Sequence, residues 1–319
     1  MIYPVYERTI TTAITATGIG LHSGKEVVLT LQPAPAGAGI CFVRTDLDNA
    51  RIPLDARAIH DTLMSSNLVQ GDIKVGTIEH LLSAIAALGV DNLLIEISAP
   101  EIPIMDGSAA PFLYLLMEAG ITEQEKLKEF IKIKREVRVA EADKWATLTP
   151  CNLGFTVNFE IDFAHKAIQE TAQTFSFNLS SSRFASEVAK ARTFGFLKDL
   201  AYLQQNNLAL GGSLDNAIVL DEERVVNREG LHFPDEFVRH KVLDAVGDLY
   251  AIGKPILGQF DAYKSGHALN NKLLRAILAD PDCYEIVTFY DKDTCPIRYY
   301  SPNSGVKSAK IAPEAVACS

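Results

Sequence analysis

Three side chains within 233–253, FPDEFVRHKVLDAVGDLYAIG, have the types and spacing of a metal or proton-transfer site: His240, Asp244 and Asp248. Each lies four positions from the next, so on a helix of about 3.6 residues per turn they share one face. An imidazole and a carboxylate at that interval can hold one metal ion, and the third acid extends the row. A polar stripe facing solvent, or a plain His–Asp hydrogen bond, explains the same spacing, and H-x-x-x-D alone does not separate these readings. Glu79-His80 opens another helical stretch. Position 84 is Ala84, so this is not H-E-x-x-H. If His80 is a ligand, Glu79 can reach a water on the metal; otherwise the pair is a solvated first turn.

Lys264-Ser265-Gly266-His267 offers a histidine that a carboxylate partner can hold protonated near pH 7, as general acid or electrostatic group. Asp248 is the candidate partner, and an exposed loop histidine is the alternative. Arg192-Thr193-Phe194-Gly195-Phe196 places a hydroxyl in a turn, either as donor to a developing oxyanion or as part of an ordinary loop with two core aromatics. His22, in the glycine-rich loop GIGLHSG, can line a site. His60, His165 and His232 have no such context and read as structural or surface residues. His80, His240 and Asp244 together would leave one zinc position open for water, whose pKa would fall to about 7. These donors suit zinc, and iron(II) also fits.

The elements that must position these groups follow from patterning. Pro234, Asp235 and Glu236 suit a helix start and Gly253 a stop. Phe237, Val238, Val242, Leu243, Val246 and Leu249 give the apolar face between them. The first strong helix is expected over 77–88, with Thr77 as N-cap and Gly89 as stop. Strands are expected at 26–32, 39–45 and 91–98, and the polar segment 122–129, TEQEKLKE, reads as a linker. Strand character resumes after it, and a further helix is expected over 270–280. Both halves run strands first, then a helix carrying a histidine, which predicts α+β with a possible duplicated unit and disfavours a doubly wound parallel sheet. The expected domains are 1–126 and 127–302, followed by a dispensable tail, 303–319.

Composition bounds the function. In 319 residues, 48% apolar and 22% charged, there is material for two ordinary globular cores. A formal charge of −10 argues against nucleic acid or an anionic membrane surface as main partner, but not against a small anion met by local cations. Five scattered cysteines without C-x-x-C suggest neither a disulfide framework nor a cysteine-rich zinc site. The start, MIYPVYERTI, has no signal-peptide pattern, and no apolar run of about 18 residues exists. A cytoplasmic enzyme or binding protein, not an integral membrane protein, is the expected class.

Taken in order, GIGLHSG, TIEHLLSA (77–84), PIMDGSA (103–109), RTFGF (192–196), LALGGSLDNAIV (208–219), HKVLDAVGDL (240–249) and KSGHALNN (264–271) closely resemble the zinc-dependent UDP-3-O-acyl-N-acetylglucosamine deacetylases of lipid A synthesis. The resemblance spans about 3–300 and implies two similar domains, each a mainly antiparallel sheet layered against a pair of helices, with the site between them. It implies zinc on His80, His240 and Asp244, with Glu79 as base toward the attacking water. Thr193 would stabilise the oxyanion, and His267, kept cationic by Asp248, would protonate the leaving amine. Lys241 and Lys264 would meet the diphosphate or sugar of a UDP-linked acylated amino sugar. The acyl passage would run beside RTFGF, through Phe194, Leu197, Leu200, Ala209, Leu214 and Val219, near Met64. A monomer is expected. A non-catalytic nucleotide-sugar binder or metal sensor on the same fold, or a hydrolase of another acylated sugar, would share the metal site; turnover and a substrate panel separate them.

Overall fold

The computed structural model describes residues 3–300, so the expected tail 303–319 lies outside the described residues. Two larger sheets share one pairing pattern. In the first, strand Ile14–Ile19 pairs antiparallel with Glu26–Pro33, which pairs antiparallel with Leu93–Ile97. Leu93–Ile97 runs parallel to Ile40–Arg44, whose other neighbour is Ala50–Pro53, antiparallel. In the second, Val137–Glu141 pairs antiparallel with Lys144–Thr149, and that strand antiparallel with Ile256–Tyr263. Ile256–Tyr263 runs parallel to Phe155–Glu160, which pairs antiparallel with Thr174–Asn178. The expected duplication is therefore present in topology, although residue identity does not reveal it. Glu129–Ile133 and Tyr284–Thr288 extend the second sheet.

Each central strand follows a helix that carries a histidine: α1 (Glu79–Leu88) precedes 93–97, and α3 (Glu236–Tyr250) precedes 256–263. A second helix follows each, α2 (Ala110–Glu118) and α4 (His267–Leu278). All ten residues of α1 are buried, including Glu79, His80 and Ser83, so the helix is enclosed on every side rather than only along its apolar face. The six apolar positions expected on α3 are likewise buried.

α1 and α3 touch at backbone distance. A Cβ on Gly247 would lie 2.0 Å from the Glu79 carbonyl oxygen, so only glycine allows the approach. That contact sets Glu79 and His80 opposite the middle of α3.

Three local expectations are corrected. Segment 122–129 is not a loop linker: strand Ile121–Leu127 pairs antiparallel with Tyr6–Ile10. Its polar residues face solvent from a two-stranded ribbon, where low hydrophobicity is compatible with strand pairing. Thr77 is not an N-cap. It has φ 54°, and its hydroxyl donates to Glu101 at 2.9 Å, while α1 begins after Ile78 without a side-chain cap. The fourth helix begins at His267 rather than Asn270. At the far end of α1, wholly buried Lys128 donates to the Gly89 carbonyl (3.0 Å) and to Asp91 (2.5 Å), tying the start of the second half to the first.

Gly247→Ala should cost about 1–3 kcal/mol by overpacking, read as a lowered midpoint in denaturant unfolding. Wild-type stability would show that the two helices can part without loss.

Candidate active site

α1, α3, α4 and the 192–196 turn converge on a cleft of about 350 Å³. His80 comes from the first turn of α1, and His240 and Asp244 from consecutive turns of α3. His80 Nε2 lies 3.6 Å and His240 Nε2 3.4 Å from Asp244 Oδ1. The two imidazoles meet edge to face, with centroids 5.0 Å apart. His240 Nδ1 sits 2.9 Å from the Ala191 carbonyl, which fixes that nitrogen as the N–H and leaves Nε2 as the lone pair facing the cleft. Burial pushes the His240 pKa down to about 3, against the attraction of Asp244, so the ring is neutral. Burial favours the neutral acid of Asp244, but the adjoining His240 ring and the Lys241 ammonium outweigh it and hold the pKa well below the carboxylate range. Lys241 Nζ takes one oxygen of Asp244, Oδ2, at 2.5 Å. The other, Oδ1, is buried and has no hydrogen-bond partner among the described residues. Two imidazole nitrogens and one orphaned carboxylate oxygen, mutually within 4.8 Å, form a donor set that fits a divalent metal.

A second group lies beside it. Glu79, Asp248 and His267 also bring one atom each within 4.8 Å. His267 Nδ1 is 2.9 Å and 3.1 Å from the two Asp248 oxygens. Burial disfavours its charge, yet the Asp248 carboxylate and then Glu79 outweigh that and raise the His267 pKa to about 9. Burial raises the Glu79 pKa, opposed by His267 and His80. Histidines in one cleft are thus held in opposite states, His240 neutral and His267 cationic.

Thr193 stands in the cleft wall because its N–H donates to the Gly107 carbonyl (2.8 Å) and its carbonyl accepts from Ile218 (2.8 Å). Gly107 has φ 84°, and a Cβ there would meet the Asn216 carbonyl oxygen at 2.2 Å. The glycine of PIMDGSA therefore serves the register of the RTFGF turn. Beside Thr193, buried Arg192 bonds Glu236 through Nε at 2.9 Å, tying the turn to the first residue of α3.

The family model described as LpxC, UDP-3-O-acyl N-acetylglycosamine deacetylase, matches residues 7–279. This chain belongs to that family. Among its curated relatives, the UDP-3-O-acyl-N-acetylglucosamine deacetylase of Psychrobacter arcticus (strain DSM 17307 / VKM B-2377 / 273-4) is 60% identical over 298 residues, 93% of each chain. The protein of the same description from Psychrobacter cryohalolentis (strain ATCC BAA-1226 / DSM 17306 / VKM B-2378 / K5) is also 60% identical over 298 residues, 93% of each chain.

In this deacetylase-family chain the cleft gathers Glu79, His80, His240, Asp244, His267, Thr193, Lys241, Phe194 and Met64, while Asp248 stands behind His267. Other expected residues stand elsewhere. Lys264 is outside the lining and is held by Asp143 (2.6 Å) and Asp162 (3.3 Å). His22 borders a neighbouring cavity of about 210 Å³. Leu197 and Leu214 are about half exposed, and Leu200, Ala209 and Val219 are outside the cleft wall. Its apolar side is made instead by Leu21, Ile104, Phe163, Phe196 and Leu203. Leu21, Ile104 and Phe196 belong to motifs visible in the sequence, but nothing local marks Phe163 or Leu203. Among the described residues, no helix is long and apolar enough to cross a membrane.

In metal-free protein the His267 ring should titrate near pH 9 by NMR, and Asp248→Asn should lower it, because the largest influence opposing burial is then removed and only Glu79 and Asp244 remain to raise it. Since the folded pKa is the raised one, the stability this pair contributes is complete below about pH 6.5 and is lost as pH rises through 9. A His267 titrating near 6.5 in the unaltered protein would contradict the pairing. Asp244→Ala should lose stoichiometric metal on purification while Asp248→Ala retains it, measured by elemental analysis.

Proposed function

We propose that the chain hydrolyses the acetamide of UDP-3-O-(3-hydroxyacyl)-N-acetylglucosamine to the free amine and acetate, the committed step of lipid A synthesis, in the cytoplasm and as a monomer without nucleic-acid partners. The carrying observation is that the His80/His240/Asp244 donor set faces a base candidate and a cationic histidine in one cleft. His80, His240 and Asp244 would hold zinc, with iron(II) compatible. When bound, the metal would lower the pKa of a water to about 7 and polarise a carbonyl oxygen.

The remaining chemistry belongs to the protein. Glu79 accepts a proton from the attacking water, its carboxylate held by the Ser66 N–H at 3.0 Å. The water oxygen bonds to the acetamide carbon. Thr193 donates to the oxygen that gains negative charge, and the Lys241 ammonium stands nearby as a fixed positive charge. The carbon–nitrogen bond then breaks as His267, oriented through Nδ1 by Asp248, gives its other ring proton to the departing amine. The acid formed passes its remaining proton to the amine, giving acetate and ammonium, and the proton held by Glu79 returns to His267.

Lys241, on the cleft wall and bonded to Asp244, and Lys264, bonded to Asp143 and Asp162, are the cations assigned to the anionic head, and Lys264 would have to exchange its partners to serve. Phe194 and the apolar cleft side suit an acyl chain, with Leu197, Leu200, Ala209, Leu214 and Val219 on the segments leading outward and Met64 and His22 at the approaches. The repeated pairing supports two domains, 1–126 and 127–302, although the ribbon 121–127 extends the boundary into paired strand.

Incubation with the UDP-linked acylated amino sugar should release one acetate per free amine formed. Glu79→Ala should lower kcat by roughly 10²–10⁴-fold with metal retained, the range for a positioned acid–base group. Full activity in that variant would remove Glu79 from the mechanism.

A further inference from the structure

We infer that Ser66 is a positioning residue that couples the base to the acid, holding Glu79 with its backbone and Asp248 with its side chain. The inference rests on the roles proposed for Glu79 and His267. Ser66 is 1% exposed, in the segment between the cleft-lining Met64 and α1. Each of its three polar groups is engaged. Its N–H donates to Glu79 Oε2 at 3.0 Å, its hydroxyl donates to Asp248 Oδ1 at 2.7 Å, and its carbonyl accepts from Ile78 N–H at 3.3 Å, where α1 begins. One residue from the first half therefore bonds the acidic side chain of α1 and the acidic side chain of α3.

The Asp248 carboxylate is fixed on every side. Ser66 takes Oδ1 and Asn270 Nδ2 donates to Oδ2 at 2.9 Å, while His267 Nδ1 spans both oxygens. Asn270 is itself oriented by Ser265, whose hydroxyl donates to Oδ1 of the amide at 2.6 Å. The hydroxyl of Ser66 is the donor in this set that comes from the opposite half of the molecule. Without it, Asp248 can rotate about its side-chain bonds, and the His267 ring follows the carboxylate it is bonded to.

The segment that leads to Ser66 is anchored on the same helix that carries His267. Asn271 Nδ2 donates to the Ala56 carbonyl at 2.8 Å, and Arg275 Nη2 donates to the carbonyls of Arg57 and Ile59, each at 2.8 Å. α4 thus holds the approach to Ser66 at 56–59, while Ser66 holds Asp248 behind the first residue of α4. This closed circuit fixes the separation of Glu79 from His267, a distance on which a water and a scissile amide must both fit. A charge-assisted hydrogen bond in a buried network is worth enough for its loss to slow a reaction that depends on alignment.

The test compares metal-loaded Ser66→Ala, Ser66→Thr and the parent enzyme, with Asp248→Ala and the double variant Ser66→Ala/Asp248→Ala. Ser66→Ala should lower kcat roughly 10- to 100-fold, with KM within about twofold, metal content stoichiometric and the unfolding midpoint near the parent's. Ser66→Thr keeps both donors and should recover kcat to within about threefold of the parent, where a loss of packing alone would not distinguish the hydroxyl. In the Asp248→Ala background, Ser66→Ala should add less than about twofold, because its partner is gone. Parent-like kcat in Ser66→Ala would overturn the inference. So would a full additional loss in the double variant, or no recovery in a stably folded Ser66→Thr protein. If Glu79→Ala and His267→Ala retain activity, the proposed roles fail; if they abolish it while Ser66→Ala is unaffected, only the inference about Ser66 fails.

Discussion

The whole site depends on a contact between two backbones. At Gly247 the third helix has no side chain, and the carbonyl of Glu79 fills the space a Cβ would occupy. Helix surfaces usually meet through interdigitated side chains, with axes about 8–10 Å apart. Here the first turn of α1 can reach the middle turns of α3, so that His80 from one helix and His240 and Asp244 from the other share a volume small enough for one ion. α1 is buried at all ten positions, with α3 on one side and α2 on another.

Enclosure then sorts the titratable groups by partner. Removal from water disfavours charge on every one of them, and what differs is the neighbour. His240 also has a carboxylate near it, Asp244 at 3.4 Å, but its Nδ1 meets a neutral carbonyl, His80 and Lys241 disfavour a second charge, and it stays uncharged. His267 has a carboxylate across both oxygens and becomes a cation. A neutral donor and a proton donor are thus made from the same amino acid in one small cleft, without any change in local sequence chemistry that would announce which is which.

That contrast explains what could be read from the sequence. That His240, Asp244 and Asp248 share a face was legible because a helix converts an interval of four into one side, whereas their meeting with Glu79-His80 was legible only through the resemblance to a family. The wall of RTFGF was legible through its resemblance to a family. The strand at Ile121–Leu127 was not, because exposed pairing leaves no apolar alternation to detect. Thr77 looked like a cap, and the competing carboxylate that takes its hydroxyl lies on a distant segment at Glu101. Ser66 carries no local signal at all; its meaning lies in partners on both helices. A duplicated unit was anticipated from strands preceding a histidine helix in both halves, but the shared pairing order was not, since pairing pattern is a property of space and survives when residue identity does not.

The donor set has a mechanical side as well. His80 lies in the first half of the chain, and His240 and Asp244 lie in the second, so an ion held by all three would close one very long loop. Such a closure is paid mainly in the entropy of the open chain, and the free energy of binding then appears as adhesion between halves. The ion would be a rivet as well as a reagent. A partly assembled chain would have little hold on it, and a chain that has gripped it would be one whose two halves are already correctly seated.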